Sequence, residues 1–280
     1  MKLPQGKKSS VAVEAFDGIA CVRKTYNDNG DPREKCLRET AFYAYYAGLT
    51  LIPRLIESRP PTNVLVELLR GEPLSTWQQG RPRAEVEDLS RDHGRNVARF
   101  LQHVPPAGAL AAARQDFPGG LGLYEVAGHT LGVVADHLAA NAEFDLPGLH
   151  GAVDCARAAP GIAGFWGQEV LCKLDWNAAN TIVESGEITG YVDFEQSFFA
   201  NRLIFVGTVI DHINVLSWPR AREGIEELCG DLPSPEMQYA AACFSMCRKI
   251  LGCCRDGRIG YFTPERILAK LEKMRRATDS

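Results

Sequence analysis

The sequence lacks any long apolar run: nothing in its 280 residues approaches the roughly 20 consecutive apolar positions that a membrane-spanning helix needs. Its first ten residues, MKLPQGKKSS, are polar and contain no apolar stretch of the kind an export signal carries. Charge of one sign is not in large excess either. A net charge of −4 provides no global attraction to nucleic acid or to an anionic membrane surface. No C-x-x-C knuckle, H-E-x-x-H helix or G-x-S-x-G elbow is present, so zinc and serine-hydrolase readings have no support. The six histidines (His93, His103, His129, His137, His150 and His212) are scattered through the chain. Nor is there an internal repeat or a low-complexity linker.

What is present suits a soluble globular protein: 45% hydrophobic and 24% charged residues, enough chain for one large domain or two lobes. Nine cysteines, an odd count at irregular spacing and without an export signal, are expected to stay reduced in a cytoplasm. Cys243 and Cys247 fall four apart in a helical pattern, with Cys253 and Cys254 beyond, and read as buried helical filler rather than a metal cluster.

The N-terminal part is strand-like. SVAVEAFDGIACVRKTY holds two β runs joined at Asp17-Gly18, a two-residue hairpin signal. Asp31-Pro32 then opens a helix, with Asp as cap and Pro at the first helical position, running through REKCLRETAFYAYYAG to a stop at Gly48. Two more strands, LIPRLIES and NVLVELL, flank a Pro-Pro turn. From Gly71 the pattern turns helical, apart from a β island of QEVLCKLD, NTIVES and ITGYVDFE. RLIFVGTVIDHINVL and TPERILAKLEKMRRA return to helix. The expected fold class is α+β and bilobal, a small sheet lobe with one helix and then a larger, mostly helical lobe, jointed near Glu67 to Gly71.

The chemistry concentrates in KLDWNAANTIVESGEITGYVDFE, from Lys173 to Glu195. Asp175 and Asn180 sit five apart in a loop, and a returning hairpin can bring Asp193 beside Asn180. Carboxylate and amide oxygens suit Mg²⁺, and a carboxylate free of metal can hold and deprotonate a hydroxyl. Equally, Asp175 and Asn180 are good turn and cap residues. Lys24 at the end of a strand and Glu39 on the following helix can pair, aiming an ammonium at phosphate oxygens; the alternative is a solvated surface pair. The order Lys, Glu, Asp-x4-Asn, Asp is that of the working parts of a kinase-type phosphotransferase.

In these motifs the chain resembles the aminoglycoside phosphotransferase and choline-kinase family, small-molecule kinases with a protein-kinase-like fold. Its catalytic-loop pattern, H-G-D-x-H-x-x-N, is matched by Lys173 to Asn180, and its I-D-[FW]-E by Val192-Asp193-Phe194-Glu195. VLVELLRGEPL, Val64 to Leu74, looks like the family's hinge, and the likeness spans about residues 5 to 210.

The resemblance implies a nucleotide-binding lobe over 1–69 and a helical lobe over 70–280 with the catalytic loop and acceptor pocket. It implies ATP and Mg²⁺ as cofactors, Asp175 as the base or hydroxyl-orienting residue, and Asn180 and Asp193 as metal ligands. Lys24, held by Glu39, becomes the phosphate-binding lysine, with Arg23 next to it a rival for the same role. Backbone groups of Glu67, Leu68 and Leu69 are expected to meet the adenine, and Ser9 or Ser10 in the thin segment from Gln5 to Ser10 to contact phosphate.

The implied partner is a small molecule bearing a hydroxyl, with no nucleic acid and no membrane, in a cytoplasmic enzyme. The acidic residues Glu195, Asp211, Glu223, Glu226, Glu227 and Asp231 suit a cationic acceptor, or line a solvated helix face. Trp176 is either a stacking wall or core. Departures from the pattern are equally specific. Lys173, Leu174 and Asn177 replace the family's His, Gly and second His, so the loop must be braced differently. Lys173 either faces the transferring phosphoryl group or points outward. RLIFVGT lacks the acidic residue the family often carries about a dozen positions after its metal Asp. A regulatory pseudokinase is the alternative reading. A protein kinase fits less well, for D-F-G and A-P-E are missing.

Overall fold

A computed structural model describes residues 9–27, 31–116, 123–144, 146–212, 215–255 and 263–280. The first strands are β1 (Ser9–Phe16) and β2 (Ile19–Tyr26), paired antiparallel through a turn in which Asp17 and Gly18 both take positive φ, 49° and 77°. That turn twists with the strands, which is why Asp-Gly serves there. Helix α1 (Pro32–Tyr45) starts where its sequence cap requires, with Asp31 accepting from the Glu34 N–H at 3.0 Å. Strands β3 (Leu55–Arg59) and β4 (Asn63–Glu67) complete a four-stranded sheet in the order β1-β2-β4-β3.

The larger lobe follows with β5 (Glu72–Pro73), α2 (Leu74–Trp77), α3 (Arg83–Gln102), α4 (Ala109–Asp116), α5 (Leu123–Ala140), α6 (Pro147–Ala156) and α7 (Gly164–Gly167). Next come β6 (Glu169–Cys172), β7 (Thr181–Glu184), β8 (Glu187–Tyr191) and β9 (Phe198–Asn201). Helices α8 (Arg202–His212), α9 (Trp218–Cys229), α10 (Pro235–Arg255) and α11 (Pro264–Thr278) close the chain. The architecture is the α+β, bilobal one expected. Strand β9 departs from the sequence reading, in which the β island ends with ITGYVDFE and RLIFVGTVIDHINVL returns to helix. Instead Phe198–Asn201 first pairs antiparallel with β6, buried along its whole length.

The two lobes share one core. The Phe42 ring of α1 stacks on Phe194 at 4.1 Å and 9°, and the Tyr46 hydroxyl donates to the Leu171 carbonyl at 2.7 Å. Cys243 and Cys247 are buried, unoxidised and packed into that core, as filler would be; the side chains of Cys253 and Cys254 lie outside the described set. No helix among the described residues is long and apolar enough to cross a membrane.

Candidate active site

Lys24 and Arg23 are adjacent on β2, so strand alternation sends them to opposite faces. Arg23 turns outward, binding Glu14 through two nitrogens at 2.6 and 3.0 Å and Asn63 at 2.8 Å. Lys24 turns inward, where its Nζ lies 2.8 Å from Glu39, 2.5 Å from Asp193 and 3.0 Å from Glu195. Burial opposes its charge, yet the carboxylates of Asp193, Glu39 and Glu195 hold its pKa well above the ordinary lysine value. Glu39 is fixed in turn by the Tyr26 hydroxyl at 2.6 Å and the Tyr43 hydroxyl at 3.1 Å.

Asp193 takes φ 65°, a left-handed conformation uncommon for a residue other than glycine. The residue that braces it is Lys173. Its ammonium is fully buried and donates to the carbonyls of Val192 and Asp193, each at 2.6 Å, while lying 4.6 Å over the Phe194 ring. Both sequence readings of Lys173, toward a phosphoryl group or outward to solvent, are thereby corrected. A long side chain reaching under the loop satisfies two carbonyls that would otherwise be left without donors in the interior. Burial pulls the Lys173 pKa down to about 8 against the pull of Asp193 and Asp175.

Asn177 supplies the second brace. Its Nδ2 donates to both Asp175 carboxylate oxygens at 2.9 Å, and its Oδ1 accepts from the N–H groups of Ala179 and Asn180 at 2.8 and 3.1 Å. One amide therefore locks the carboxylate to the short 3₁₀ turn Ala178–Asn180. The Val192 N–H then donates to the Asn180 carbonyl at 3.0 Å, which brings Asn180 beside Asp193 as the hairpin argument requires. Trp176 is core: it is buried, and its Nε1 donates to the Lys173 carbonyl at 3.0 Å and to Thr208 Oγ1 at 2.9 Å.

Two residues next to these take places that the sequence reading did not give them, Glu195 having been read only with the acidic residues for a cationic acceptor or a solvated face. Glu195 joins Asp193 and Glu39 in a group of three carboxylates whose oxygens lie within 4.8 Å of one another. Its V-D-F-E context was the available signal. His212, set aside among the scattered histidines, lies at the end of α8 with Nε2 3.2 Å from Asp175 Oδ1. Nothing in the sequence marks it, because the proximity exists only once α8 crosses the loop. Burial raises Asp175, but the hydrogen bond from His212 and the ammoniums of Lys173 and Lys249 hold its pKa far below the ordinary value.

The acidic face expected for a cationic acceptor is largely neutralised. Asp211 is buried against Lys249 and Lys270, Glu223 pairs with Arg220, Glu226 with Arg222, and Glu227 with Arg91 and Arg95. Ser9 and Ser10 open β1, opposite Tyr26 and Thr25, while Gln5 to Lys8 lie outside the described residues. At the segment joining the lobes, the Glu67 N–H donates to Arg54 and the Leu68 N–H to Ala20, both at 2.9 Å.

Comparison with solved structures matches this architecture to phosphotransferases. A thermostable mutant of aminoglycoside phosphotransferase APH(4)-Ia, in a ternary complex with ADP and hygromycin B, superposes with a TM-score of 0.63 at 15% identity, over 99% of this chain and 93% of its own. Macrolide 2′-phosphotransferase MphH from Brachybacterium faecium gives 0.60 at 18% identity, over 96% and 89%. The gentamicin complex of APH(2″)-IIa gives 0.64 at 10%, over 98% and 89%. Neither a family description nor a curated protein matches the sequence. The fold is therefore that of the aminoglycoside and macrolide phosphotransferases, in agreement with the resemblance carried by the loop motifs.

Proposed function

We propose that this chain is an ATP-dependent phosphotransferase acting on a hydroxyl of a small molecule. The observation that carries the reading is the convergence of Lys24, paired with Glu39, on Asp193, in the loop that also presents Asp175 and Asn180. In this reading residues 1–69 form the nucleotide lobe and 70–280 the lobe that holds the acceptor. The Lys24 ammonium binds phosphate oxygens. Asp175, free of the metal group, orients the acceptor hydroxyl and takes up its proton, so catalysis is mostly alignment and charge stabilisation. Adenine would meet the Glu67 and Leu68 carbonyls and the Leu69 N–H, since the N–H groups of Glu67 and Leu68 are committed to protein carbonyls.

The residues present fit a divalent cation. Three carboxylates face a single Lys24 ammonium, and Glu195 Oε2 is buried without a hydrogen-bond donor of good geometry, although Lys24 lies 3.0 Å away. Burial raises the Glu195 pKa, as expected of a carboxylate with too little compensating charge. Asn180 and Asp193 would hold Mg²⁺, with Glu195 beside them; bound there, it neutralises charge on the phosphate oxygens. The absence of the loop histidines, which motivates a pseudokinase reading, loses its force because Lys173 and Asn177 brace the loop in their place.

Calorimetric titration of ATP with and without Mg²⁺, on the wild type and Asp193→Asn, tests the proposal. Metal-dependent binding that weakens at least tenfold in the variant is expected. A folded wild type that binds no ATP under either condition would leave only a shared fold.

A further inference from the structure

The reading above gives His212 no task, yet its ring is held from two sides. Nε2 lies 3.2 Å from Asp175 Oδ1; Nδ1 lies 2.9 Å from the Thr208 carbonyl and 3.2 Å from Lys249 Nζ. These neighbours do not suit every protonation state equally. An imidazolium would serve Asp175 and Thr208 but turn a positive N–H toward the Lys249 ammonium. A neutral ring protonated at Nδ1 would set a lone pair against the Asp175 carboxylate, acceptor against acceptor. A neutral ring protonated at Nε2 donates to Asp175 and accepts from Lys249. This leaves the Nδ1 lone pair facing the Thr208 carbonyl at 2.9 Å, a repulsion that the Lys249 ammonium at 3.2 Å offsets by donating to Nδ1.

We propose that His212 is a neutral, Nε2-protonated imidazole that holds the Asp175 carboxylate in its reacting orientation, its tautomer set by the Lys249 ammonium. The surroundings support this from every packed element. On α8 itself, Asp211 is completely buried and receives Lys249 from α10 and Lys270 from α11, the latter at 2.6 Å, which fixes Lys249 where it can reach Nδ1. Ser245 of α10 donates to Asp211 at 3.0 Å. On the loop, Lys173 acts on the far side of Asp175 through charge. From α3, His93 shares a cavity of ≈ 180 Å³ with His212, but its Nδ1 is engaged with the Tyr191 hydroxyl at 2.8 Å. Burial, joined by Lys249, lowers the His212 pKa against the pull of Asp175 and Asp211, which favours the neutral ring.

His212 is thus a positioning residue. Its catalytic value rests on the proposed role of Asp175, whereas its tautomer does not. Long-range proton–nitrogen correlation on ¹⁵N-histidine protein reads the tautomer directly, with His212→Gln identifying the signals. At neutral pH the expected result is a bare Nδ1 and a protonated Nε2, with imidazolium forming only below the ordinary 6.5. Lys249→Met should raise that titration, because Nδ1 loses its donor and its cationic neighbour. An imidazolium or an Nδ1-protonated ring at neutral pH, or no change in Lys249→Met, overturns the assignment.

The kinetic arm uses MgATP hydrolysis with water as acceptor. His212→Leu should lower kcat at least tenfold with the KM for ATP unchanged, and His212→Gln, which keeps an N–H donor, should recover most of it. Unchanged kcat in His212→Leu would remove the positioning role. A wild type that neither binds nor hydrolyses MgATP would remove the phosphotransfer reading and the purpose of the pair with it, while the imidazole spectrum would still decide the tautomer.

Discussion

Lys173 illustrates how one side chain can replace a motif residue by different chemistry. Where the resembling family carries a ring, this chain sends an ammonium beneath the loop to two carbonyls. A buried lysine with its pKa at about 8 rather than 10.5 has a consequence for stability. Between those values the unfolded chain binds the proton and the folded chain does not, so this group's contribution to stability rises with pH across that window. The difference in unfolding free energy between wild type and Lys173→Met should therefore grow from about pH 8 toward pH 10, by at most about 1.4 kcal/mol per pH unit. Urea unfolding of both proteins across that range measures it, and a flat difference would mean that Lys173 titrates normally. At this scale the sequence foretold which residues come together within one contiguous stretch, as with Asn180 and Asp193. It said nothing of His212, whose meaning depends on where a distant helix ends, and it misread Lys173 because spacing does not report depth.

At the scale of elements, turn chemistry was the most legible signal. Asp17-Gly18 takes positive φ at both positions, as a two-residue hairpin demands, and Ser185-Gly186 between β7 and β8 does the same. Strand β9 was hidden because four buried residues ahead of an apolar helix carry no periodicity of their own. Close helix contact was hidden too. Helices α3 and α9 approach so closely that a Cβ on Gly224 would lie 2.2 Å from the Arg91 carbonyl oxygen, and one on Gly94 would lie 1.9 Å from that of Ala221. Both obstacles are backbone and cannot rotate away. Gly224→Ala should cost about 1–3 kcal/mol, as overpacking does. It should lower Tm while leaving MgATP affinity within about twofold, because nothing at Lys24 or Asp193 rests on that contact. An unaltered Tm would show that the two helices can separate freely.

For the molecule as a whole, the bilobal α+β plan followed from the change of pattern near Gly71, but the union of the lobes did not. It is made by aromatic side chains of α1 and of Tyr46, the residue that caps its end. Phe42 stacks on Phe194, Tyr43 meets the same ring edge-on at 5.3 Å, and Tyr46 packs edge-on against Phe100 at 5.1 Å. A double-mutant cycle on Phe42→Leu and Phe194→Leu should give a coupling of about 0.5–1.5 kcal/mol in unfolding free energy. Additive losses would mean that the stacked pair contributes only area. The same contacts bear on control. The helix that carries Glu39 is clamped to the loop that carries Asp193, so swinging it outward, a common way to switch kinases, would tear open the shared core. So long as that core stays closed, Glu39 and Asp193 keep one fixed relation to the Lys24 ammonium between them.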